Sequence, residues 1–516
     1  MKKLSVFLLA ITGLVSGSSA RGFELLETEH IAGEGVWVDP AISEFPRDQF
    51  RVTVWFEEQF LGDGEAYLRR TKEFTGIGRT ALRKQVRETL NALSRRSQAA
   101  AGKELDALVD AKKITDLEYH WIVNGFTCRL NREHLAELKS VPGVRMVYFA
   151  GPPLRVRGVP AVARSEPYTR PGKEFVAEQY KRPWYVESLK AYKVWKEHDV
   201  TGKGILNVIH DGNFVLSPNI LANRYVNPNE HPNDRDDSGN GLVDDMHGYD
   251  FLFKRPSLTR NPIPKGGRYN SRVLHGHQCV AIICGRGTEQ SPHRFGIAPE
   301  SQWAGVLATQ RIEAAVEWAI DQGADTYSMS FSRPSMREYR SHWRKLMEHG
   351  AFCGVHFVSG AGNFAAKGSP QFAPVPVQMR IPEDIPNVVF AAAGVQRDLS
   401  RTPFSSQGPV EWMTAHYKDG VVNKPEVSAF NFQLPLLLPS GKVVDKAASG
   451  NSFAGPMFCG VIALVLSANP DLHPWDVRQI IIETATDVGP NGFDFQTGYG
   501  VINAFAAVSK ALDGKH

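Results

Sequence analysis

Three polar side chains in the second half of the chain have the types needed for acyl transfer. Asp211 ends the apolar run "ILNVIHD", His275 opens "HGHQCVAIICG", and Ser452 lies in "SGNSFAGP" before an apolar stretch predicted to be a helix beginning near Pro456. An acid that orients an imidazole, an imidazole that takes a proton and a hydroxyl that attacks make up a nucleophilic triad. We therefore treat Asp211, His275 and Ser452 as candidate catalytic residues.

A fourth residue, Asn363 in "SGAGNFA", follows an apolar run through a glycine turn. Its amide and the backbone N–H of Ser452, at a helix N-terminus, are suited to stabilise the oxyanion of acyl transfer. Each residue also has a plain structural interpretation. Ser452 could be a helix N-cap, Asp211 a turn residue after a strand, and Asn363 a left-handed turn residue.

Short buried strands alternate with helices after Trp184, a pattern that predicts a parallel α/β sheet flanked by helices. Predicted strands include "ILNVIH", "QWAGVL", "ADTYSMSF" and "VVFAAAG"; predicted helices include "IEAAVEWAIDQG", "MREYRSHWRKLMEHG" and "PWDVRQIIIETA". Parallel sheets place ligands outside the carboxyl ends of their strands. Asp211 and Asn363 follow strands and are expected at that edge.

The first part of the chain is organised differently. Residues 1–20 carry two lysines, an apolar core and small residues before the expected cut after Ala20, which predicts a signal peptide and a secreted or periplasmic protein with no membrane anchor. Residues 21–150 form an α+β unit whose core, about 49–150, has the order β-α-β-β-α-β of ferredoxin-like domains. Residues 151–182, rich in Pro, Arg and Gly, read as a linker with a processing site, and 183–516 hold the parallel sheet.

Composition excludes some classes of protein. The 516 residues are 42% hydrophobic and 22% charged with a net charge of +4, so nothing points to a nucleic-acid partner. Five cysteines are too few and odd in number for a disulfide framework. They are expected to be core fillers, although one pair among the last four stays open.

The motifs, in this order, resemble those of the subtilisin-like serine proteases, the subtilases of peptidase family S8. Matching segments are "VIHDGNFVLSPNI", "HGHQCVAIICG", "SGAGNFA", "SGNSFAGP", "FSSQGP", "KPEVSAF" and "GYGVINAFAAV", and "IVNGFTCRLNREHLAELKSVPGVRMVYFAG" resembles the family's propeptide. The resemblance implies a subtilisin-like fold and a secreted serine endopeptidase made as a zymogen. It also implies an acyl-enzyme on Ser452, an oxyanion hole that includes Asn363, and a propeptide that acts as chaperone and inhibitor.

The resemblance further implies that protein or peptide substrates bind along Ser330, Phe331 and Ser332 by adding a strand. The chain departs from the family pattern at several positions. Asn213 lies in the turn after the acid, Ser332 replaces a glycine, Asn431 lies where Ala-Pro-Gly is usual, and Asn451 replaces a threonine. An alternative is therefore a catalytically impaired subtilase-like protein that binds peptides without cleaving them.

The pair His275 and His277, with Cys279 and Cys284 nearby, suggests a second alternative, a zinc hydrolase. A helix places residues i and i+2 on different sides, which disfavours a shared metal. The triad itself requires no cofactor.

The acidic segment "NDRDDSGNGLVDDMHGYDF" has the spacing of a calcium-binding loop. The candidate ligands are Asp234, Asp236, Ser238, Asn240 and Asp245. An exposed acidic turn, rich in Asp, Asn and Gly for backbone reasons, is the alternative.

Overall fold

The computed structural model describes residues 25–151, 182–260, 271–308 and 311–514. The predicted signal peptide and nearly all of the predicted linker lie outside the described residues.

The strands are β1 (Glu29–His30), β2 (Trp37–Val38), β3 (Gln49–Phe56), β4 (Glu58–Gln59), β5 (Ile114–His120), β6 (Gly125–Asn131), β7 (Val144–Phe149), β8 (Leu206–His210), β9 (Gly248–Asp250), β10 (Gln302–Leu307), β11 (Thr326–Met329), β12 (His356–Gly360), β13 (Val389–Val395), β14 (Val410–Trp412), β15 (Gly420–Val422), β16 (Val427–Phe430), β17 (Leu434–Leu437) and β18 (Val443–Ala448). The helices are α1 (Ala41–Glu44), α2 (Ala66–Arg70), α3 (Arg79–Asp110), α4 (Leu135–Lys139), α5 (Trp184–Ser188), α6 (Ala191–His198), α7 (Pro218–Leu221), α8 (Ser271–Cys284), α9 (Ile312–Asp321), α10 (Arg340–Phe352), α11 (Asn451–Ala468), α12 (Pro474–Thr484) and α13 (Ala504–Asp513).

A seven-stranded parallel sheet forms the centre of the second domain, residues 182–514, which we call the C-terminal domain. The strand order is β16-β13-β12-β11-β8-β10-β9, and every neighbouring pair is parallel. The predicted parallel α/β fold is confirmed. Strands β8, β11 and β12 are adjacent, so Asp211, Ser330 and Asn363 all follow the same edge of the sheet.

Helices cover both faces of this sheet. Helices α8, α11 and α13 belong to the core on one face, and α9 and α10 to the core on the other. Among the described helices α11 alone has the length and apolar composition of a membrane span, but 89% of it is buried in the domain. Its apolar sequence is therefore explained by its position in the core.

Residues 25–151 form the N-terminal domain. Its sheet has the order β2-β7-β3-β6-β5, and β7, β3, β6 and β5 run antiparallel to their neighbours within that set, as in a split βαβ arrangement. The domain has a hydrophobic core of its own. Its other side contacts α10 of the C-terminal domain, where Trp55, Phe60 and Tyr67 pack against His342 and Phe352.

All five cysteines are buried free thiols, so the core-filler interpretation is confirmed and the alternative of one disulfide is wrong.

Candidate active site

Asp211 and His275 form the first half of the predicted triad. Asp211 directly follows β8, and its Oδ2 lies 2.7 Å from His275 Nδ1 in helix α8. The other oxygen, Oδ1, accepts the Gly212 N–H at 2.6 Å. A Cβ on Gly276 would come within 3.1 Å of the Asp211 Cγ and 2.4 Å of the Asn213 carbonyl oxygen, so a glycine beside the histidine is needed for this close approach.

The surroundings of His275 favour a proton on its ring. Burial disfavours the charged imidazolium, but the charge and hydrogen bond of Asp211, with the Cys279 thiol nearby, outweigh it and raise the pKa of His275 well above its usual value. This raised pKa favours the imidazolium near neutral pH, so His275 acts as a base only after Nε2 loses its proton. In that neutral form Asp211 holds Nδ1–H and Nε2 is the basic nitrogen.

Ser452 is the second residue of helix α11, which begins at Asn451, five residues before the predicted start near Pro456. Gly450, with φ of 145°, takes the N-cap position, so the N-cap interpretation of Ser452 is wrong. Pro456 lies inside the helix and has no N–H for the Ser452 carbonyl oxygen. The Ser330 hydroxyl donates to that oxygen instead, at 2.9 Å.

The Ser452 hydroxyl is bonded to the segment that follows β11. Its Oγ donates a long hydrogen bond of 3.5 Å to the Ser330 carbonyl oxygen. Cys279 contacts both His275 and Ser452. Its Sγ lies 4.0 Å from His275 Nδ1 and 3.6 Å from the Ser452 carbonyl oxygen. Among the contacts of these described residues there is no hydrogen bond between Ser452 Oγ and His275 Nε2.

Asn363 lies against the first turn of α11. Its Oδ1 accepts the Asn451 N–H at 2.8 Å, which fixes the orientation of the amide. Gly362 has φ of +92° and is the left-handed residue of the turn, so the left-handed interpretation of Asn363 is wrong. A Cβ on Gly360 would lie 2.0 Å from the Asn451 carbonyl oxygen, so glycine is required where β12 meets the helix.

The predicted substrate-binding segment, Ser330 to Ser332, extends β11 at the same edge. Phe331 packs edge-on against His210, with ring centroids 4.6 Å apart. Ser332 Oγ donates to Glu383 Oε1 at 2.6 Å. Glu383 is fully buried, and burial raises its pKa to about 8. Sequence reasoning missed Glu383, because "RIPEDIP" carries no signal that distinguishes it from the neighbouring acid.

The contacts of His277 and Cys284 contradict the zinc alternative. The His277 Nδ1 and Nε2 atoms face the carbonyl oxygens of Val215 and Leu437, at 2.5 and 3.0 Å. The Cys284 thiol donates to a carbonyl of its own helix. In the described ranges, Asp211, His275 and Cys279 are the one group of three or more His, Cys, Asp or Glu ligands within 4.8 Å of each other.

The acidic segment folds around Asp236, whose carboxylate accepts backbone N–H groups of three residues: Gly239, Asn240 and Gly241. Asp245 is buried, and its Oδ2 accepts from Trp318 Nε1 and from Asn240 Nδ2. Both carboxylates are thus already satisfied by N–H donors. The segment in this conformation does not present an assembled set of oxygen ligands to a calcium ion.

Comparison with known proteins agrees with this fold. Residues 256–500 match the family model for the subtilase family, a range that contains His275, Asn363 and Ser452. In this region the chain is similar to the subtilase family, peptidase family S8.

Several curated relatives are similar along this region. A probable subtilase-type serine protease of Deinococcus radiodurans is 26% identical over 332 residues, 61% of this chain and 41% of that protein. Bacillopeptidase F of Bacillus subtilis is 23% identical over 84% of this chain and 29% of its own length. A calcium-dependent protease of Nostoc is 25% identical over 49% of this chain and 42% of its own. This chain therefore spans less than half the length of each of these relatives.

Proposed function

We propose that the chain is a serine endopeptidase in which Asp211, His275 and Ser452 form the triad. The observation that carries the proposal is the 2.7 Å bond between Asp211 and His275, made beside a serine held in the first turn of a buried helix. The match of residues 256–500 to the subtilase family model and the serine proteases among the similar proteins support the same activity.

In the proposed mechanism, His275 Nε2 takes the proton of Ser452 Oγ as that oxygen attacks the scissile carbonyl, and later gives it to the leaving amine. Asp211 holds the imidazole tautomer and stabilises the imidazolium. The attack requires Ser452 Oγ to leave the Ser330 carbonyl oxygen, a long contact that one rotation about Cα–Cβ breaks. The Asn363 amide and the Ser452 N–H stabilise the oxyanion, and water then hydrolyses the acyl-enzyme.

Hydrolysis of a denatured protein such as casein tests this proposal. The purified chain should cleave it, while Ser452→Ala and His275→Ala should lose at least about a thousandfold in kcat because each removes a member of the triad. Equal cleavage by wild type and Ser452→Ala would refute the assignment. If His275→Ala lost activity while Ser452→Ala kept it, the nucleophile would be another residue, and that result would also contradict the assignment.

A second candidate function is a peptide-binding protein without turnover. The observation that favours it is the Ser452 Oγ bond to the Ser330 carbonyl oxygen in place of a bond to His275. In that case the wild-type chain would bind an extended peptide along Ser330 to Ser332 with no cleavage, and Ser452→Ala would bind equally well.

For the N-terminal domain we propose the role of a propeptide, a folding template and inhibitor that is separated by cleavage between residues 151 and 182. The support is its close packing on α10 and its βαββαβ order. A sheet built from non-local parallel strand pairs folds slowly, so a docked domain that acts as a folding template would speed its formation. If the chain processes itself, Ser452→Ala should accumulate at full length while wild type is cut. Identical processing of both would show that another protease acts.

We also propose secretion and calcium binding. Relatives include an extracellular serine protease of Natrialba magadii, which supports action outside the cytoplasm.

The calcium proposal rests on the Asp and Asn spacing of residues 234–245 and on the calcium-dependent relatives. Since Asp236 and Asp245 are satisfied by N–H donors, binding requires this loop to rearrange. Calcium would be structural and takes no part in the chemical steps.

A further inference from the structure

Two of the residues that depart from the family pattern, Asn431 and Asn451, meet in the core beneath the candidate active site. Both are fully buried, and Asn431 Nδ2 donates to Asn451 Oδ1 at 2.6 Å. A Cβ on Gly394 would lie 1.7 Å from Asn431 Nδ2 and 2.3 Å from Asn451 Oδ1. Glycine in β13 is therefore what leaves room for the amide pair.

Asn451 also holds the turn that carries Asn363. Its Nδ2 donates to the Gly362 carbonyl oxygen at 2.6 Å and to Ser405 Oγ at 3.0 Å, while its backbone N–H donates to Asn363 Oδ1 at 2.8 Å. One residue thus ties both the backbone and the side chain of the oxyanion turn to the N-terminus of α11. Ser452 is the next residue along the helix.

Asn431, the other member of the amide pair, is also held by hydrogen bonds. Thr402 Oγ1 donates to Asn431 Oδ1, and the Asn431 carbonyl oxygen accepts the Gly450 N–H at 2.7 Å. Asn451 therefore uses its side-chain acceptor and both of its side-chain N–H bonds, and Asn431 uses its acceptor and one donor. A satisfied buried polar network of this kind is rigid, because breaking one bond leaves a buried group unpaired.

We infer that Asn451 and Asn431 are positioning residues that hold the Asn363 amide at a fixed distance from Ser452. This inference rests on the proposed endopeptidase function and adds residues to its machinery. The Asn431 side chain bonds to Asn451 and Thr402, so it acts on Asn363 through Asn451. Asn431 and Asn451, which both differ from the family pattern, therefore compensate each other through their hydrogen bond and do not by themselves impair the candidate active site.

The test is a double-mutant cycle between positions 431 and 363, on the full chain with a peptide substrate. Asn431→Leu removes the donor to Asn451 and keeps the branched shape and number of side-chain heavy atoms. We expect about a 10- to 100-fold loss of kcat with KM little changed, since small displacements of catalytic groups cost this much. In an Asn363→Ala background the same change should cost less than about threefold, because its effect passes through that amide.

Active sites are counted by titration with a fluorophosphonate, so that poorly folded molecules do not enter kcat. Thr402→Val is a milder second variant, expected to lower kcat less and to show the same dependence on Asn363. The matched control is Asn223→Leu, another buried amide, which donates to the carbonyl oxygens of Cys284 and Pro299 and should leave kcat per titrated site unchanged.

The inference is overturned if Asn431→Leu keeps its kcat, if it loses the same factor with and without Asn363, or if Asn363→Ala itself has no effect. Those outcomes leave the endopeptidase standing. A wild-type chain with neither titration nor turnover would instead refute the proposed function.

Discussion

Acidification should weaken the contact between the two domains through His349. This side chain lies in α10, is fully buried, and has both ring nitrogens bonded to the N-terminal domain. Its Nδ1 lies 2.5 Å from the Ile122 carbonyl oxygen, and its Nε2 accepts the Leu61 N–H at 3.3 Å. Because Nε2 is the acceptor of an N–H donor, only the neutral ring satisfies both bonds.

The size of the effect follows from proton linkage. Burial, with a further contribution from the nearby charge of Lys345, lowers the pKa of His349 to about 3. An unfolded histidine has a pKa of about 6.5, so below that pH the unfolded chain binds a proton that the folded chain does not. Stability is unaffected above pH 6.5 and falls as the pH drops toward 3. At pH 5 the loss is about 1.4 × 1.5, or about 2 kcal/mol.

Urea unfolding at pH 7.5 and pH 5.0 measures this loss, with Ser452→Ala in every chain to prevent self-digestion. His349→Gln keeps a donor and an acceptor but does not titrate. Between the two pH values the free energy of unfolding should fall about 2 kcal/mol more with His349 than with glutamine. Other titrating groups are common to both chains and cancel. An equal pH dependence in the two chains, within about 0.5 kcal/mol, would refute the argument.

Three further predictions concern charged groups. Arg79→Met should lower the free energy of unfolding by about 3–5 kcal/mol in urea, since it leaves Asp325 without the partner 2.7 Å away in a buried contact; a loss below about 1 kcal/mol would contradict this. Asp211→Asn should lower kcat about 10⁴-fold on the peptide substrate by holding the wrong His275 tautomer, and near-normal turnover would exclude that role. A calcium chelator should lower the Tm of wild type and not that of Asp236→Asn, and equal shifts would place any calcium elsewhere.

Much of the fold can be predicted from the sequence because its signals are local. Strands buried on both faces have continuous apolar sequences. The parallel sheet, and the edge at the carboxyl ends of its strands, can therefore be predicted from the sequence. The same apolar runs place Asp211 directly after β8 and Asn363 three residues after the end of β12. The start of α11 is an exception: the sequence predicts it near Pro456, because a proline usually marks the first turn, whereas the helix begins at Asn451 and Pro456 lies inside it.

The unpredicted parts depend on contacts between distant residues. Asn431 and Asn451 are 20 positions apart and belong to no periodic pattern, so neither segment carries a sequence signal that predicts a bond between them. Glu383 and Ser332 are 51 positions apart, and their contact depends on how two loops pack at the edge of the sheet. Such polar pairs are selected by the folded structure rather than by local propensity.

Covalent labelling most directly tests whether Ser452 is an activated nucleophile. The full chain is treated with a fluorophosphonate, digested and analysed by mass spectrometry, with Asp211→Asn and the exposed variant Asp398→Asn treated in parallel. The account predicts one phosphonylated residue, Ser452, at the same rate in wild type and Asp398→Asn and far more slowly in Asp211→Asn. A label on another residue, or no label on a chain that cleaves protein, would contradict it.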